Sequence, residues 1–195
     1  PSGSADTVFS TPGGMGPLDA WTGVLAFSGQ IFFDFAGYST SAIGVAMCLG
    51  FILPQNFFYP YAAIGFSDFW RRWHITLSSW LRDYLYIPLG GNREGKFKTY
   101  RNIMLTMLIG GLWHGASWTF VAWGGLHGVY LWVEKAIRDS RAKISDAPTP
   151  DDGTPVPVIA TASMGPSLTS KRPAGFLYAL LTFLFICVTW VFFRS

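Results

Sequence analysis

Basic residues are absent before Arg71, and charged residues of either sign are scarce throughout the 195 residues of this chain. Only 13% of the residues are charged, whereas 50% are hydrophobic and 17% are aromatic. A soluble globular domain carries about 25% charged residues, so this composition excludes an ordinary soluble protein and favours one surrounded by lipid. The two cysteines, Cys48 and Cys187, lie in apolar segments and give no information about a redox compartment.

A start methionine and the charged-then-apolar pattern of a signal peptide are also absent from the first residues. The chain closes on an uncharged run of twenty residues, AGFLYALLTFLFICVTWVFF, followed only by Arg194 and Ser195. As a helix this run is about 30 Å long, which matches the hydrocarbon core of a bilayer. We therefore expect an internal piece of a longer polytopic membrane protein.

Basic residues, where they do occur, are concentrated in two stretches, 71–101 and 135–172. Under the positive-inside rule, both stretches favour the cytoplasmic side of a membrane. The segment between them should therefore cross an even number of times or form a re-entrant pair. Basic segments beside a bilayer account for the net charge of +3, so no nucleic-acid partner is expected.

These patterns predict an all-α fold: a polytopic helical membrane protein with interfacial helices and broken or re-entrant helices. The predicted segments are two membrane helices over 18–53, an interfacial helix over 67–87, a histidine-bearing broken helix over 101–138, a flexible loop over 139–173 and a transmembrane helix over 174–193. The first segment is too long for one crossing and is interrupted by Gly37 and residues 39–41, which is why two helices are predicted there.

A stripe of polar residues runs through the first apolar segment. Gln30, Asp34, Tyr38 and Ser41 recur at helical spacing and fall within roughly 80° of arc on one helix face. An acid is costly in a lipid-exposed position, so this stripe should face a bundle interior or a wet cavity. A polar clamp between helices and the lining of a cavity both explain it, and the residues alone do not separate the two.

The segment SDFWRRWHITLSSWLRDYLYIPLGG has aromatic and basic residues on different faces of a predicted helix. The aromatic and apolar face comprises Phe66, Trp70, Trp73, Leu77, Trp80 and Tyr84. Helices of this kind lie in the headgroup plane of a membrane rather than crossing it. An interfacial anchor does not explain His74, which lies at the flank of the apolar face, and a packing role and a functional role both stay open for it.

A second histidine lies in GLWHGASWTF. One straight helix over 101–138 would be about 57 Å long, far longer than a bilayer is thick, so the sequence predicts a break near Gly110 to Ser117. Backbone breaks at membrane depth are tolerated where they are buried in protein or line a cavity. We therefore predict that His114, walled by Trp113 and Trp118, is functional. His127 is a weaker candidate, because its stripe with Trp123, Tyr130 and Glu134 is also explained by a helix face that runs out to the interface.

Three motifs, FFDFAGYS, DFWRRWHITLSSWLRDYLYIPLGGN and LWHGASWTFVAWGGLHG, resemble the membrane-bound O-acyltransferase (MBOAT) family, and within it the bacterial polysaccharide O-acetylases of alginate type. The resemblance runs from about Ile31 to Glu134. It implies that His114, in the W-H-G motif, is the essential catalytic residue and that His74 is a second catalytic histidine. It further implies a substrate tunnel across the membrane, for which the candidate lining residues are Asp34, Tyr38, Trp73, Trp113, Ser117 and Trp118.

The chemistry of imidazole agrees with this resemblance. A neutral histidine accepts the proton of a sugar hydroxyl as that hydroxyl attacks an activated acyl group. The expected co-substrates are an acyl donor, such as acetyl-CoA or another activated acyl carrier, and a polysaccharide acceptor, with no bound cofactor and no metal. A bacterial inner membrane is the expected location, and a separate periplasmic acyltransferase is the expected protein partner.

Two other functional classes fit some of the same residues. Intramembrane aspartate and histidine also relay protons in transporters, and a transporter that supplies acyl groups to a separate periplasmic transferase is the main alternative. A haem or metal site made by His74, His114 and His127 is the other. His114 and His127 lie about 220° apart around a continuous helix, so that site requires the chain to bend.

Overall fold

The computed structural model describes residues 16–144 and 173–194. In chain order it contains α1 (Pro17–Cys48), a 3₁₀ turn (Pro60–Ala62), α2 (Phe66–Arg72), α3 (Ile75–Leu81), a π turn (Arg82–Tyr86), α4 (Lys96–His114), α5 (Trp118–Ile144) and α6 (Pro173–Arg194). The described residues contain no strand, and the predicted all-α class is confirmed. Pro17–Cys48 and Gly175–Arg194 are long and apolar enough to cross a membrane.

Helix α1 runs unbroken from Pro17 to Cys48, so the prediction of two helices over 18–53 is wrong. The residues expected to interrupt it are accommodated inside the helix. The Ser41 hydroxyl donates a hydrogen bond of 2.9 Å to the Gly37 carbonyl oxygen, four residues earlier. A serine that bonds back in this way satisfies its hydroxyl without ending the helix.

The helix predicted over 67–87 is not continuous. Helix α2 ends at Arg72, α3 begins at Ile75, and His74 between them adopts left-handed backbone angles, φ 44° and ψ 55°. Its aromatic face is also divided, because Trp70 and Trp73 are buried in the protein core whereas Trp80 is exposed. An orientation along the membrane surface stays a prediction.

Helices α4 and α5 form an antiparallel hairpin. The chain leaves α4 at His114 and enters α5 at Trp118, within the interval where the sequence places a break. At the far end of the hairpin, the Tyr100 and Trp132 ring centroids are 5.3 Å apart. Helix α5 continues to Ile144, so the first residues of the loop predicted over 139–173 are helical, and residues 145–172 of that loop lie outside the described residues.

Glycines allow the two backbones of this hairpin to touch. A Cβ atom added to Gly111 would lie 2.3 Å from the Phe120 carbonyl oxygen, and one added to Gly124 would lie 2.3 Å from the Met107 carbonyl oxygen. Real Cβ atoms do not approach backbone oxygens so closely. Gly111 on α4 and Gly124 on α5 therefore allow the two helices to approach closely here, in the way that small residues pack helices in membranes.

A single methyl group at Gly124 should therefore destabilise the hairpin. We expect Gly124→Ala to lower the free energy of unfolding by about 1–3 kcal/mol, because overpacking forces the two backbones apart. The matched control is Gly125→Ala, since the nearest atom to a Cβ there is Leu108 Cδ2 at 3.6 Å, an ordinary contact. Thermal denaturation of the intact purified protein measures both, and equal midpoints for the two variants would contradict the close approach.

Helix α2 is fixed to α5 and α6 at its first turn. The Glu134 carboxylate of α5 accepts hydrogen bonds from the backbone N–H of Phe66, at 2.6 Å, and of Ser67, at 3.0 Å. The Gly65 N–H donates to the Thr182 hydroxyl of α6 at 3.0 Å. These bonds satisfy backbone donors that a helix start leaves without intrahelical partners. They also hold the segment that carries His74 against the helices that surround His114.

Candidate functional site

His114 is the last residue of α4, and its half-buried ring is surrounded by aromatic rings from three helices. The ring centroids of its neighbours lie 5.0 Å away for Trp113, 5.1 Å for Trp123, 5.1 Å for Phe193 and 6.1 Å for Phe120. The ring is thus packed on apolar side chains, and part of it stays accessible. This arrangement fits a group that must meet a substrate out of bulk water.

Two predicted neighbours of His114 have other positions. Trp118 is 86% exposed, and the wall expected from it is formed instead by Phe120, Trp123 and Phe193. The physical reason is helical phase, because Trp118 and Phe120 project about 200° apart around α5. Ser117 precedes the helix, and its hydroxyl oxygen accepts a hydrogen bond from the Thr119 N–H at 3.3 Å, so it serves as a helix cap.

His74 occupies the break between α2 and α3. Left-handed backbone angles cost a residue other than glycine about 1–2 kcal/mol, so the surrounding structure must hold this conformation in place. The half-buried His74 ring lies with its centroid 4.6 Å from that of Phe35 on α1 and 6.3 Å from that of Trp113 on α4. The break directs a histidine toward the end of α4.

The structure thereby brings His74 and His114 together, although forty positions separate them in the sequence. Both rings contact the Trp113 ring, which is 60% exposed. Burial in the first place, and then the charge of nearby His114, lower the pKa of His74 from 6.5 to about 4. His74 is therefore neutral near pH 7, with one ring nitrogen able to donate a hydrogen bond and the other able to accept one.

His127 is buried in the core, so the interpretation that its stripe runs out to the interface is wrong. Its side chain is 0% exposed, and its ring contacts Trp70 at 5.0 Å and Trp123 at 4.8 Å between centroids. The physical reason is the docking of α2 onto this face of α5. Neither His127 ring nitrogen has a hydrogen-bond partner among the described residues.

The remaining residues predicted for a tunnel are more scattered. Asp34 and Tyr38 are exposed on α1, with the Tyr38 ring stacked on Phe35 at 5.0 Å. Phe35 in turn contacts His74, so Tyr38 lies one ring away from the candidate site. Trp73 is a buried core residue rather than an open wall. The role of Asp34 and Tyr38 in lining a path stays a prediction.

The described residues provide no ligand set for a metal ion. No group of three His, Cys, Asp or Glu side chains within residues 16–144 and 173–194 is placed to hold one. The Trp123 ring contacts both His114 and His127, at 5.1 Å and 4.8 Å between centroids. The structure therefore lends no support to a metal or haem site made by the three histidines.

Asn56 and Glu134 make hydrogen bonds to the chain segments that flank His74. The sequence patterns did not predict this for either residue. Asn56 lies in PQNFFYPY, a stretch that reads only as a helix breaker, and Glu134 reads as the polar end of a helix. Their partners are 20 and 68 positions away. A polar residue in an otherwise apolar or aromatic stretch was the available signal, but it does not indicate which backbone groups such a residue binds.

Comparison with known proteins identifies the family to which this sequence is similar. The model of the family "MBOAT, membrane-bound O-acyltransferase family" matches residues 17–167. The chain is 48% identical over 177 residues to the probable alginate O-acetylase AlgI of Azotobacter vinelandii, covering 91% of this chain. It is 43% identical over 191 residues to the peptidoglycan O-acetyltransferase of Helicobacter pylori, covering 98% of this chain.

A more distant relative modifies a different polymer. The chain is 36% identical over 137 residues to the teichoic acid D-alanyltransferase of Streptococcus thermophilus, covering 63% of this chain. The chain spans about a third of the length of these curated relatives: 30% of the first, 32% of the second and 33% of the third.

Proposed function

This chain belongs to the membrane-bound O-acyltransferase family, and on that premise we propose that it supplies the histidine pair of an enzyme that transfers an acyl group to a polysaccharide hydroxyl. One observation carries the proposal. His74, in the break between α2 and α3, and His114, at the end of α4, both contact the exposed Trp113 ring, and both remain half-buried. Two imidazoles that share one aromatic neighbour in a partly desolvated site are suited to moving a proton during acyl transfer.

His114 acts as the general base in this proposal. Its neutral imidazole accepts the proton of a sugar hydroxyl while the hydroxyl oxygen attacks the carbonyl carbon of the acyl donor. The new carbon–oxygen bond forms the ester, and the bond between the acyl carbon and the donor thiol breaks. The departing thiolate then takes the proton back from the imidazolium, which restores neutral histidine.

His74 stabilises the negative charge that develops on the acyl oxygen. Because its pKa is about 4, it is neutral and carries one ring N–H near pH 7. A hydrogen-bond donor held in place before the reaction lowers the barrier most where the site excludes water. Phe35 and Trp113 pack against this ring and exclude part of the solvent.

The names of the relatives support the class of substrate. Two of them are named for O-acetyl transfer, and the third is named for D-alanyl transfer to teichoic acid. An acetyl group carried by acetyl-CoA or another activated carrier is the proposed donor, and a cell-surface or exported polysaccharide is the proposed acceptor. A periplasmic acyltransferase is the proposed partner, and a multi-pass bacterial inner-membrane protein is the proposed setting.

Transfer from a labelled donor tests this function. We expect the intact protein, purified in detergent, to move a radiolabelled acetyl group from acetyl-CoA onto isolated polysaccharide, with the label released by mild base as expected of an ester. Heat-denatured protein is the control. A transporter that supplies a separate transferase would instead carry the label across the membrane of a proteoliposome and leave the polysaccharide unlabelled. That result would favour the transporter over direct transfer.

A further inference from the structure

We propose that Asn56 is a positioning residue that holds His74 in its left-handed conformation and thereby sets the place of the His74 ring. The inference rests on the proposed function, because it assigns His74 to the acyl-transfer site. It starts from an unfavourable backbone conformation. His74 has φ 44° and ψ 55°, a region that residues with a side chain rarely occupy unless neighbouring bonds impose it.

The Asn56 side chain binds Thr76, which lies two residues after His74. Its Oδ1 accepts hydrogen bonds from the Thr76 hydroxyl at 2.6 Å and from the Thr76 backbone N–H at 3.3 Å. A backbone N–H can only donate, so the side-chain atom that faces it must be the amide oxygen. The amide nitrogen then faces Ser39 on α1 and donates to its hydroxyl at 3.0 Å.

The backbone of the same segment holds both sides of His74. The Ile75 N–H donates to the Asn56 carbonyl oxygen at 2.9 Å, and the Phe58 N–H donates to the Arg72 carbonyl oxygen at 3.0 Å. The turn is thus fixed before and after His74 by one short stretch of chain. Through Ser39 that stretch is tied to α1, the helix that also carries Phe35 against the His74 ring.

The pattern of donors and acceptors explains why an asparagine occupies this position. The Asn56 amide accepts two bonds from Thr76 through its oxygen and donates one bond to Ser39 through its nitrogen, so one side chain supplies both an acceptor and a donor. Asn56 is half-buried, so these bonds are partly shielded from water. Asn56 does not contact the His74 ring in the described contacts, and it acts on that ring through the backbone.

Transfer by variants of the intact protein tests this role. Asn56→Leu keeps the approximate side-chain volume but removes the acceptor, and we expect acyl transfer per inserted molecule to fall by about 10-fold to 100-fold, mainly in kcat, because the catalytic ring is misplaced. Asn56→Asp keeps an acceptor oxygen for Thr76 and should restore most of the activity. Gln55→Leu, the same kind of change at the exposed neighbouring position, is the matched control and should behave as the unmodified protein.

A double-mutant cycle separates positioning from general stabilisation. If Asn56 acts through His74, Asn56→Leu causes no further loss of transfer in a His74→Ala background. The same fractional loss in both backgrounds would overturn the proposal, and so would normal transfer by Asn56→Leu beside impaired transfer by His74→Ala. Normal transfer by His74→Ala alone would instead show that the proposed function has assigned His74 wrongly.

If Asn56→Leu does not accumulate in the membrane, Thr76→Val tests the same hydrogen bond from its other side. This change removes only the hydroxyl that donates to Asn56 Oδ1. We expect a several-fold loss of kcat that disappears in the His74→Ala background, together with non-additive thermal denaturation midpoints for Thr76→Val and Asn56→Asp. Unchanged transfer by Thr76→Val, with its midpoint shift simply added to that of Asn56→Asp, would overturn the proposal.

Discussion

His114→Gln should lower acyl transfer by about 10²-fold to 10⁴-fold, the usual contribution of a general base, while leaving the protein inserted and abundant. Glutamine keeps the approximate size and hydrogen-bonding capacity of the side chain but does not accept a proton near pH 7. The half-buried ring lies at the end of α4 and is not one of the buried residues that form the core. The measurement is the acetyl content of the polysaccharide divided by the amount of membrane-inserted protein in the same cells.

Ser117→Ala is the control for a covalent route. Ser117 is the nearest hydroxyl along the chain, and its oxygen accepts a hydrogen bond from the Thr119 N–H at the start of α5. A cap of this kind affects stability rather than chemistry, so this variant should keep most of its transfer activity per molecule. A His114→Gln variant that transfers acyl groups normally would contradict the assignment of the base.

His127→Ala should have the opposite signature, with much less protein in the membrane and nearly unchanged transfer per surviving molecule. The ring is 0% exposed between Trp70 and Trp123, and its removal leaves a cavity among large side chains. Large-to-small changes in a core cost about 2–5 kcal/mol. Thermal denaturation of the purified protein and quantification in membranes measure this loss.

His127→Phe separates packing from hydrogen bonding at the same position. Neither His127 nitrogen has a partner among the described residues, so an apolar ring of similar shape gives up no bond and should recover most of the lost stability. If His127→Phe is as unstable as His127→Ala, those nitrogens bind a polar group that the described contacts do not include. The packing role assigned here to His127 would then be incorrect.

The main features of the fold and one half of the site could be predicted from local sequence. The hairpin at His114 follows from a length argument, since one straight helix over 101–138 exceeds the bilayer, and from glycines at four-residue spacing. The Gly111 and Gly124 contacts show these glycines acting as expected. The position of His114 at a break between two helices could therefore be predicted from residues close to it in the chain.

The features that sequence reasoning missed depend on contacts between distant residues. A helical pattern over 67–87 does not reveal that His74 is forced into a left-handed turn, because the bonds that hold the turn come from Asn56. The burial of His127 is set by α2, which docks on α5 through the Glu134 carboxylate. The serines at 39 and 41 predicted a break in the first helix that does not occur, because the Ser41 hydroxyl donates to a carbonyl oxygen within α1.

A double-mutant cycle on the two histidines tests the central claim most directly. Acyl transfer per inserted molecule is measured for the unmodified protein, His74→Ala, His114→Gln and the double variant. If both histidines serve one reaction in one site, the losses are strongly non-additive and the double variant is about as active as His114→Gln alone. Losses that multiply, or a His74→Ala variant with unimpaired transfer, would contradict a shared site.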